Sequence, residues 1–238
     1  MRVAIVGYGK MGREVEAVLR ERGHEPVVAA RGGFPPGCAV GIDFTRGASV
    51  PDNVARALSG RAGYVVGTTG WNDRLDDVRR SVEGAHGGLV HAANFSVGVN
   101  LYYRIVQSAA TLMARFPDYD PYVLERHHRQ KKDAPSGTAR ALGEILESAG
   151  GRRRKAVSSL SGALPDDAFH VASLRAGGIV GDHAVGFDSG GDEILLEHRA
   201  RSRRGFAQGA VLAAEWIAGR EGFYGFEAVL DDLLLPKG

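Results

Sequence analysis

Between Glu125 and Ala139 the chain packs two histidines, four basic side chains and a Ser-Gly-Thr turn into fifteen residues. Tyr122-Val-Leu-Glu125 leads in as a strand, Pro135 blocks any helix upstream, and Ala139, Leu142, Ile145 and Leu146 then recur at helical spacing. Ser136, Gly137 and Thr138 are therefore expected at a helix N-terminus, where free backbone N–H groups and the positive end of the dipole favour a carboxylate or phosphate. His127, His128, Lys131 and Lys132 lie just upstream in the same loop. Proton donors and fixed positive charge beside an anion cradle suit acid catalysis on an anionic small molecule. The same composition also fits a Ser-capped helix after a solvated basic loop, and the residues alone leave both open.

A second constellation sits at the start. Arg2-Val-Ala-Ile-Val6 reads as a short apolar strand, Gly7, Gly9 and Gly12 follow in G-x-G-x-x-G spacing, and a helix runs on through Arg22. In that context the loop is a dinucleotide fingerprint: Gly7 for the tight turn, Gly9 for close approach of a pyrophosphate, Gly12 for packing of helix on strand. Gly7, Tyr8, Gly9, Lys10, Met11 and Gly12 are thus candidate coenzyme residues; a merely glycine-rich turn is the plainer alternative.

Further apolar runs, Pro26–Ala30, Ala39–Phe44, Tyr64–Val66 and Leu89–His91, recur at the spacing of βα units and predict a doubly wound parallel sheet. Ligands of such sheets lie beyond the carboxyl ends of the strands. This points to Ala30-Arg31, Phe44-Thr45, Gly67-Thr68-Thr69-Gly70 and Ala93-Asn94-Phe95-Ser96. Gly67 to Gly70 offers two hydroxyls and exposed backbone to a nicotinamide ribose, or is a plain strand-to-helix turn. The second strand ends Val27-Val-Ala-Ala-Arg31, without the Asp or Glu that accepts from an adenosine 2′-OH, so Arg31 is expected to favour a 2′-phosphate. Its alternatives are solvation or stacking on the adenine, and use of both NADPH and NADH, with NADPH preferred, is the expectation.

Apolar positions from Val99 to Phe116 trace one helical face, and the domain cut is placed there: 1–98 with 207–238 for the dinucleotide, 99–206 for substrate and oligomerisation. Gly150 to Lys155 reads as a solvated basic connection. Phe169–Leu174, Asp182–Phe187 and Glu193–His198 alternate as strands around Gly-Gly turns, which predicts an antiparallel meander joined by the Tyr122 strand. The second domain is thus α+β with a mixed or antiparallel sheet. Phe206 to Ala218 returns as helix and is expected to pack on the first domain.

Composition narrows the classes. A hydrophobic content of 44% is that of a globular protein, and a formal charge of +2 gives no global basic excess for nucleic acid. The single cysteine, Cys38, excludes an intrachain disulfide framework and a multi-cysteine metal site, which fits a reducing cytoplasm; no metal is expected. With a strand beginning at Arg2 and no apolar run near the roughly 18 residues of a membrane span, neither leader nor membrane is expected.

The long motifs resemble those of the 4-hydroxy-tetrahydrodipicolinate reductase (dihydrodipicolinate reductase) family of diaminopimelate and lysine biosynthesis. The likeness runs through Asp43-Phe-Thr45, Gly67–Gly70, Ala93–Asn100, the His-His motif and Arg175–His183. The glycine loop is one residue shorter than the G-x-x-G-x-M-G form common in the family, and Ala30 replaces the acidic ribose ligand. The resemblance implies reduction, by NADH or NADPH, of a cyclic imine dicarboxylate to tetrahydrodipicolinate in a homotetramer. It implies His127 as acid or proton relay, Lys131 as second donor, and His128, Lys131, Ser136, Gly137 and Thr138 as substrate ligands. Two other readings stay open: a different dehydrogenase on the same scaffold, and a nucleotide-sensing module without turnover.

Overall fold

The computed structural model describes residues 1–152 and 155–235. Its elements in chain order are β1 (Arg2–Val6), α1 (Lys10–Glu21), β2 (Glu25–Val28), β3 (Val40–Asp43), α2 (Val50–Ser59), β4 (Gly63–Val66), α3 (Leu75–Gly84), β5 (Gly88–His91), α4 (Val97–Met113) and β6 (Asp120–His127). There follow α5 (Gly137–Ser148), β7 (Lys155–Val157), β8 (Ala168–Arg175), β9 (Asp182–Asp188), β10 (Glu193–Arg199), α6 (Arg204–Ile217), β11 (Gly222–Gly225) and α7 (Phe226–Leu234). The chain forms two compact units, Met1–Val97 with Arg203–Gly238, and Gly98–Ser202.

The first unit is the expected doubly wound sheet, six parallel strands in the order β11-β5-β4-β3-β1-β2. Its runs are apolar on both faces because both are covered. Val3, Ile5, Val40, Ile42, Val65 and Val90 face α1, α6 and α7, while Val6, Tyr64, Val66 and Leu89 face α2 and α3. Each fully buried side chain of this size contributes about 1.5–3 kcal/mol relative to exposure. Strand order reverses at β1, so the crevice of such a sheet opens beyond β1 and β3, where Gly7 and Phe44 emerge. Strand β11 is an addition to the sequence reading: Gly-Phe-Tyr-Gly is too short to show a period.

The second unit has the sheet order β10-β9-β6-β8-β7. Here the expected meander is corrected. Strands β9 and β10 do form an antiparallel hairpin, but β6 lies between β8 and β9, parallel to the first and antiparallel to the second. Alternation reports that a segment is a strand and which way its side chains face, not which strand is its neighbour. Parallel β6 and β8 need a crossover, and α5 lies within it. Lys155, assigned to a solvated connection, instead begins edge strand β7; Arg153 and Arg154 of that run lie outside the described residues. Val123, Phe169, Val171, Val185 and Phe187 on one face pack under Tyr102 and Val106 of α4 and Leu142 and Leu146 of α5. No described helix is long and apolar enough to cross a membrane.

One buried polar group organises the strand ends of the first unit. Asp43, fully buried at the end of β3, accepts from Thr45 N (2.8 Å), Thr45 Oγ1 (2.7 Å), Thr68 Oγ1 (2.8 Å), Asn53 Nδ2 (2.9 Å) and the Tyr64 hydroxyl (2.9 Å). Burial, first, and then the Asp43 charge push the Tyr64 phenol far above its ordinary range, so it stays a donor. Asp43→Ala leaves several buried donors without an acceptor and should lower stability by about 3 kcal/mol or more in urea unfolding. Tyr64→Phe removes one donor of the set and should cost only about 1 kcal/mol; equal losses would contradict this account of the network.

Candidate active site

In β6 the parity that buries Val123 also buries Glu125 and His127, since alternate residues share a face. A carboxylate and an imidazole therefore stand on the core side of the sheet at the strand's end. Strand β8 is paired so that Ser173 lies beside Glu125 and Arg175 beside His127. On the other flank β9 sets His183 opposite Glu125. From above, α5 presents its N-terminus, with Ser136 as N-cap accepting from Ala139 N at 3.2 Å.

These groups form one network. Glu125 Oε1 accepts from Arg175 Nη2 (2.7 Å) and from the Ser136 backbone N–H (3.2 Å), and Oε2 pairs with His127 Nδ1. Ser136 Oγ lies 3.1 Å from His183 Nε2, and the His127 and His183 rings meet edge to face at 5.1 Å. Burial raises the Glu125 carboxyl, but hydrogen bonds from Arg175, Ser173 and His127 outweigh it and hold Glu125 below its usual range. Burial lowers His127; the Glu125 bond and charge oppose that, and Lys131 and Arg175 add to it. His183 falls to about 4, through burial first and then the nearby cationic groups, so it is neutral near pH 7. Ligand atoms of Glu125, His127 and His183 lie within 4.8 Å of one another. However, the Arg175 guanidinium already occupies Glu125 and each imidazole has a protein partner, so this donor set suits proton handling better than a cation.

The other residues of the motif are placed as follows. Gly137 and Thr138 open α5, Gly137 exposed and Thr138 half-buried. Lys131 is half-buried, with Nζ on Asp133 Oδ1 at 2.7 Å. His128 Nδ1 and Arg175 Nε are buried with no hydrogen-bond partner in the protein, two groups suited to meet a ligand atom. Glu125, Arg175 and His183 carry no assignment from the sequence. The signal for Glu125 was its parity with Val123, a charge on an apolar face.

In the first unit the glycine loop fits a pyrophosphate. Gly7 has φ +93°, and a Cβ there would stand 2.5 Å from Phe44 O. At Gly9, by contrast, a Cβ would meet nothing within 4 Å, and Gly9 N-caps α1 without any side-chain cap, so backbone and helix N-terminus are open to an anion. Lys10 begins α1; Met11 packs inward on the core; Tyr8 is exposed, its hydroxyl on Glu16 and Arg13 over its ring. Thr45 N donates to Thr68 Oγ1 at 2.7 Å, which ties the loops after β3 and β4. Gly67 leaves room for the Phe44 ring, which a Cβ would approach to 2.2 Å, while Thr69 is exposed. Ala93 is exposed, Asn94 Oδ1 accepts from Ser96 N at 2.8 Å, and Ser96 is buried. Phe95, named as a coenzyme residue, turns its side chain into the core against Phe226, ring centroids 4.9 Å apart, so only its backbone remains for a ligand. Arg31 is exposed in the turn after β2.

Comparison with known proteins finds two family models along the chain. The family model described as "Dihydrodipicolinate reductase, N-terminus" matches residues 35–95, and "Dihydrodipicolinate reductase, C-terminus" matches residues 98–230. The chain is 42% identical to a 4-hydroxy-tetrahydrodipicolinate reductase of Methanoculleus marisnigri over 79% of this chain and 74% of that one. It is 35% identical to the one of Laribacter hongkongensis over 97% and 98%. A dipicolinate-bound dihydrodipicolinate reductase from Paenisporosarcina sp. TG-14 superposes with a TM-score of 0.76 at 25% identity, covering 96% of this chain and 98% of that chain. A C. glutamicum DAP dehydrogenase, at 15% identity and TM-score 0.51, shares the fold alone. With a C-terminal model that spans more than half of its length and a relative alike from end to end, the chain belongs to the dihydrodipicolinate reductase family.

Proposed function

We propose that this chain reduces 4-hydroxy-tetrahydrodipicolinate to tetrahydrodipicolinate in diaminopimelate and lysine biosynthesis, as an NAD(P)H-dependent oxidoreductase. The observation that carries the reading is the imidazole of His127, buried with a carboxylate at its back and next to an open helix N-terminus. A dicarboxylate needs two anion sites and one proton. Gly137 and Thr138 offer backbone N–H groups, and Ser136 and Thr138 hydroxyls, to one carboxylate; His128, Lys131 and the unpartnered Arg175 Nε serve the rest of the ring and its second carboxylate. His127 delivers the proton, and Lys131, aligned by Asp133, is the second donor. Reduced nicotinamide supplies the hydride when bound. The chain holds that coenzyme through Gly7 to Gly12, with Phe44-Thr45, Gly67-Thr68-Thr69 and Ala93 to Ser96 around the crevice. The reading places the enzyme in the cytoplasm as a homotetramer. Supporting the latter, the face of the second sheet away from its helices exposes Leu174 and Leu195.

His127→Gln and Lys131→Ala should each lower kcat by on the order of a hundredfold or more. Coenzyme affinity, measured by fluorescence titration, should stay close to wild type, because neither residue lies in the first unit. Near-normal turnover in both variants would remove their assigned roles.

Pyridine-2,6-dicarboxylate, planar and bearing both carboxylates, should compete with substrate. Thr138→Val should raise its inhibition constant roughly tenfold, as expected for one hydrogen bond to a charged group. Inhibition indifferent to changes at Lys131, Ser136 and Thr138 would place the anion site elsewhere.

Coenzyme choice rests on Arg31, exposed in the turn after β2, where the sequence holds no carboxylate. NADPH should have the higher kcat/KM, and Arg31→Ala should erode it by about tenfold while leaving NADH nearly unchanged. A wild-type preference for NADH would refute this assignment.

A further inference from the structure

A histidine that delivers a proton has two nitrogens to deliver it from, and what surrounds the ring selects one. The Glu125 carboxylate has no exposed surface, and its oxygens are divided: Oε1 takes Arg175 Nη2 at 2.7 Å and Ser136 N at 3.2 Å, and Oε2 takes His127 Nδ1. A carboxylate held ionised only accepts, so the nitrogen that meets it carries a hydrogen. The other nitrogen, Nε2, faces Gly181, where a Cβ would stand only 3.0 Å away. One ring nitrogen is thus engaged and the other is given clearance by a residue without a side chain.

We infer that Glu125 is the positioning residue of the proposed reduction, holding Nδ1–H of His127 so that the catalytic proton leaves from and returns to Nε2 alone. This rests on the reductase reading. When substrate is protonated, the Nε2–H bond breaks, the new bond forms on the substrate, and the imidazolium becomes a neutral imidazole that keeps Nδ1–H on Glu125. Four titratable or charged groups face His127: Glu125 on its own strand, Lys131 on the following loop, Arg175 at the end of β8 and His183 in β9. Glu125 is the one anion of the four and the one that favours the charged ring. Arg175 and the Ser136 N–H hold Glu125 in place from the side away from His127.

Glu125→Gln removes the charge and keeps one acceptor oxygen of the two, so that with this oxygen on Nδ1–H the amide NH2 is left facing Arg175 and the Ser136 N–H. If His127 must be protonated to act, kcat/KM falls as pH rises through its pKa, and loss of the Glu125 charge moves that fall to lower pH. The variant should therefore approach wild type toward the acid end of the profile and lie about tenfold or more below it above pH 7, with coenzyme affinity unchanged. A profile that superimposes on wild type after scaling would make Glu125 merely structural and overturn the proposal. A second measurement needs no variant at the buried carboxylate: nitrogen-15 NMR of the wild-type chain, with the His127 signal assigned by its loss in His127→Gln. The neutral ring should carry its hydrogen on Nδ1; a hydrogen on Nε2 would overturn the proposal. Should wild type fail to reduce the hydroxy-dicarboxylate at all, the reductase reading falls, and the NMR result alone decides the role of Glu125.

Discussion

A carboxylate without solvent must be met by donors on every side, and burying Glu125 dictates much of the second unit around it. Its partners come from three separate places: Arg175 from the end of β8, the Ser136 N–H from the start of α5, and His127 from its own strand two residues on. Each demands a piece of architecture. Arg175 reaches Glu125 because β8 is the parallel neighbour of β6, and that pairing depends on the crossover containing α5. The N-terminus of α5 is placed by the same crossover, so the buried His127–Glu125 pair and that helix end share one structural cause. Neutral His183, against Ser136, completes the enclosure without adding charge.

The first unit uses the same device for a different end. Asp43 gathers Thr45, Thr68, Asn53 and Tyr64 and so fixes two loops at the carboxyl edge of the sheet. The glycine loop adds close backbone packing: Gly12 stands against Gly7 O, where a Cβ would come to 2.3 Å, leaving no freedom to the turn between them. In both units a buried acid organises the loops around it.

Much of this was legible in the residues. Strand-glycine-helix order at the start, repeated apolar runs and the Pro135-Ser136 break specify elements through local rules, and they lie where those rules put them. What escaped was nonlocal. The insertion of β6 between β8 and β9 leaves no mark in alternation, because each strand reads the same whichever partner it takes. Phe95, inside a polar tetrapeptide, packs on Phe226 from the far end of the chain, and no spacing near it reports that. Glu125 was visible by parity with Val123, yet its partners Arg175 and His183 are 50 and 58 residues further on and meet it only through sheet pairing.

The first unit is discontinuous: the chain leaves it at Val97 and returns at Arg203. What returns is not peripheral. Helix α6 supplies Ala207, Ala210, Val211, Ala214 and Ile217 to the sheet face it shares with α1 and α7, Gly209 lies so close to the Phe95 carbonyl that a Cβ would stand 1.7 Å from it, and β11 closes the edge beside β5. During synthesis, then, the first ninety-odd residues emerge with one apolar sheet face covered by α1 alone and an edge strand unpaired, while the second unit, contiguous in sequence, has all its strands and helices in hand before α6 leaves the ribosome. The nucleotide half, though first in order of translation, is the last to be finished, and until then its sheet keeps apolar surface and a strand edge open to association.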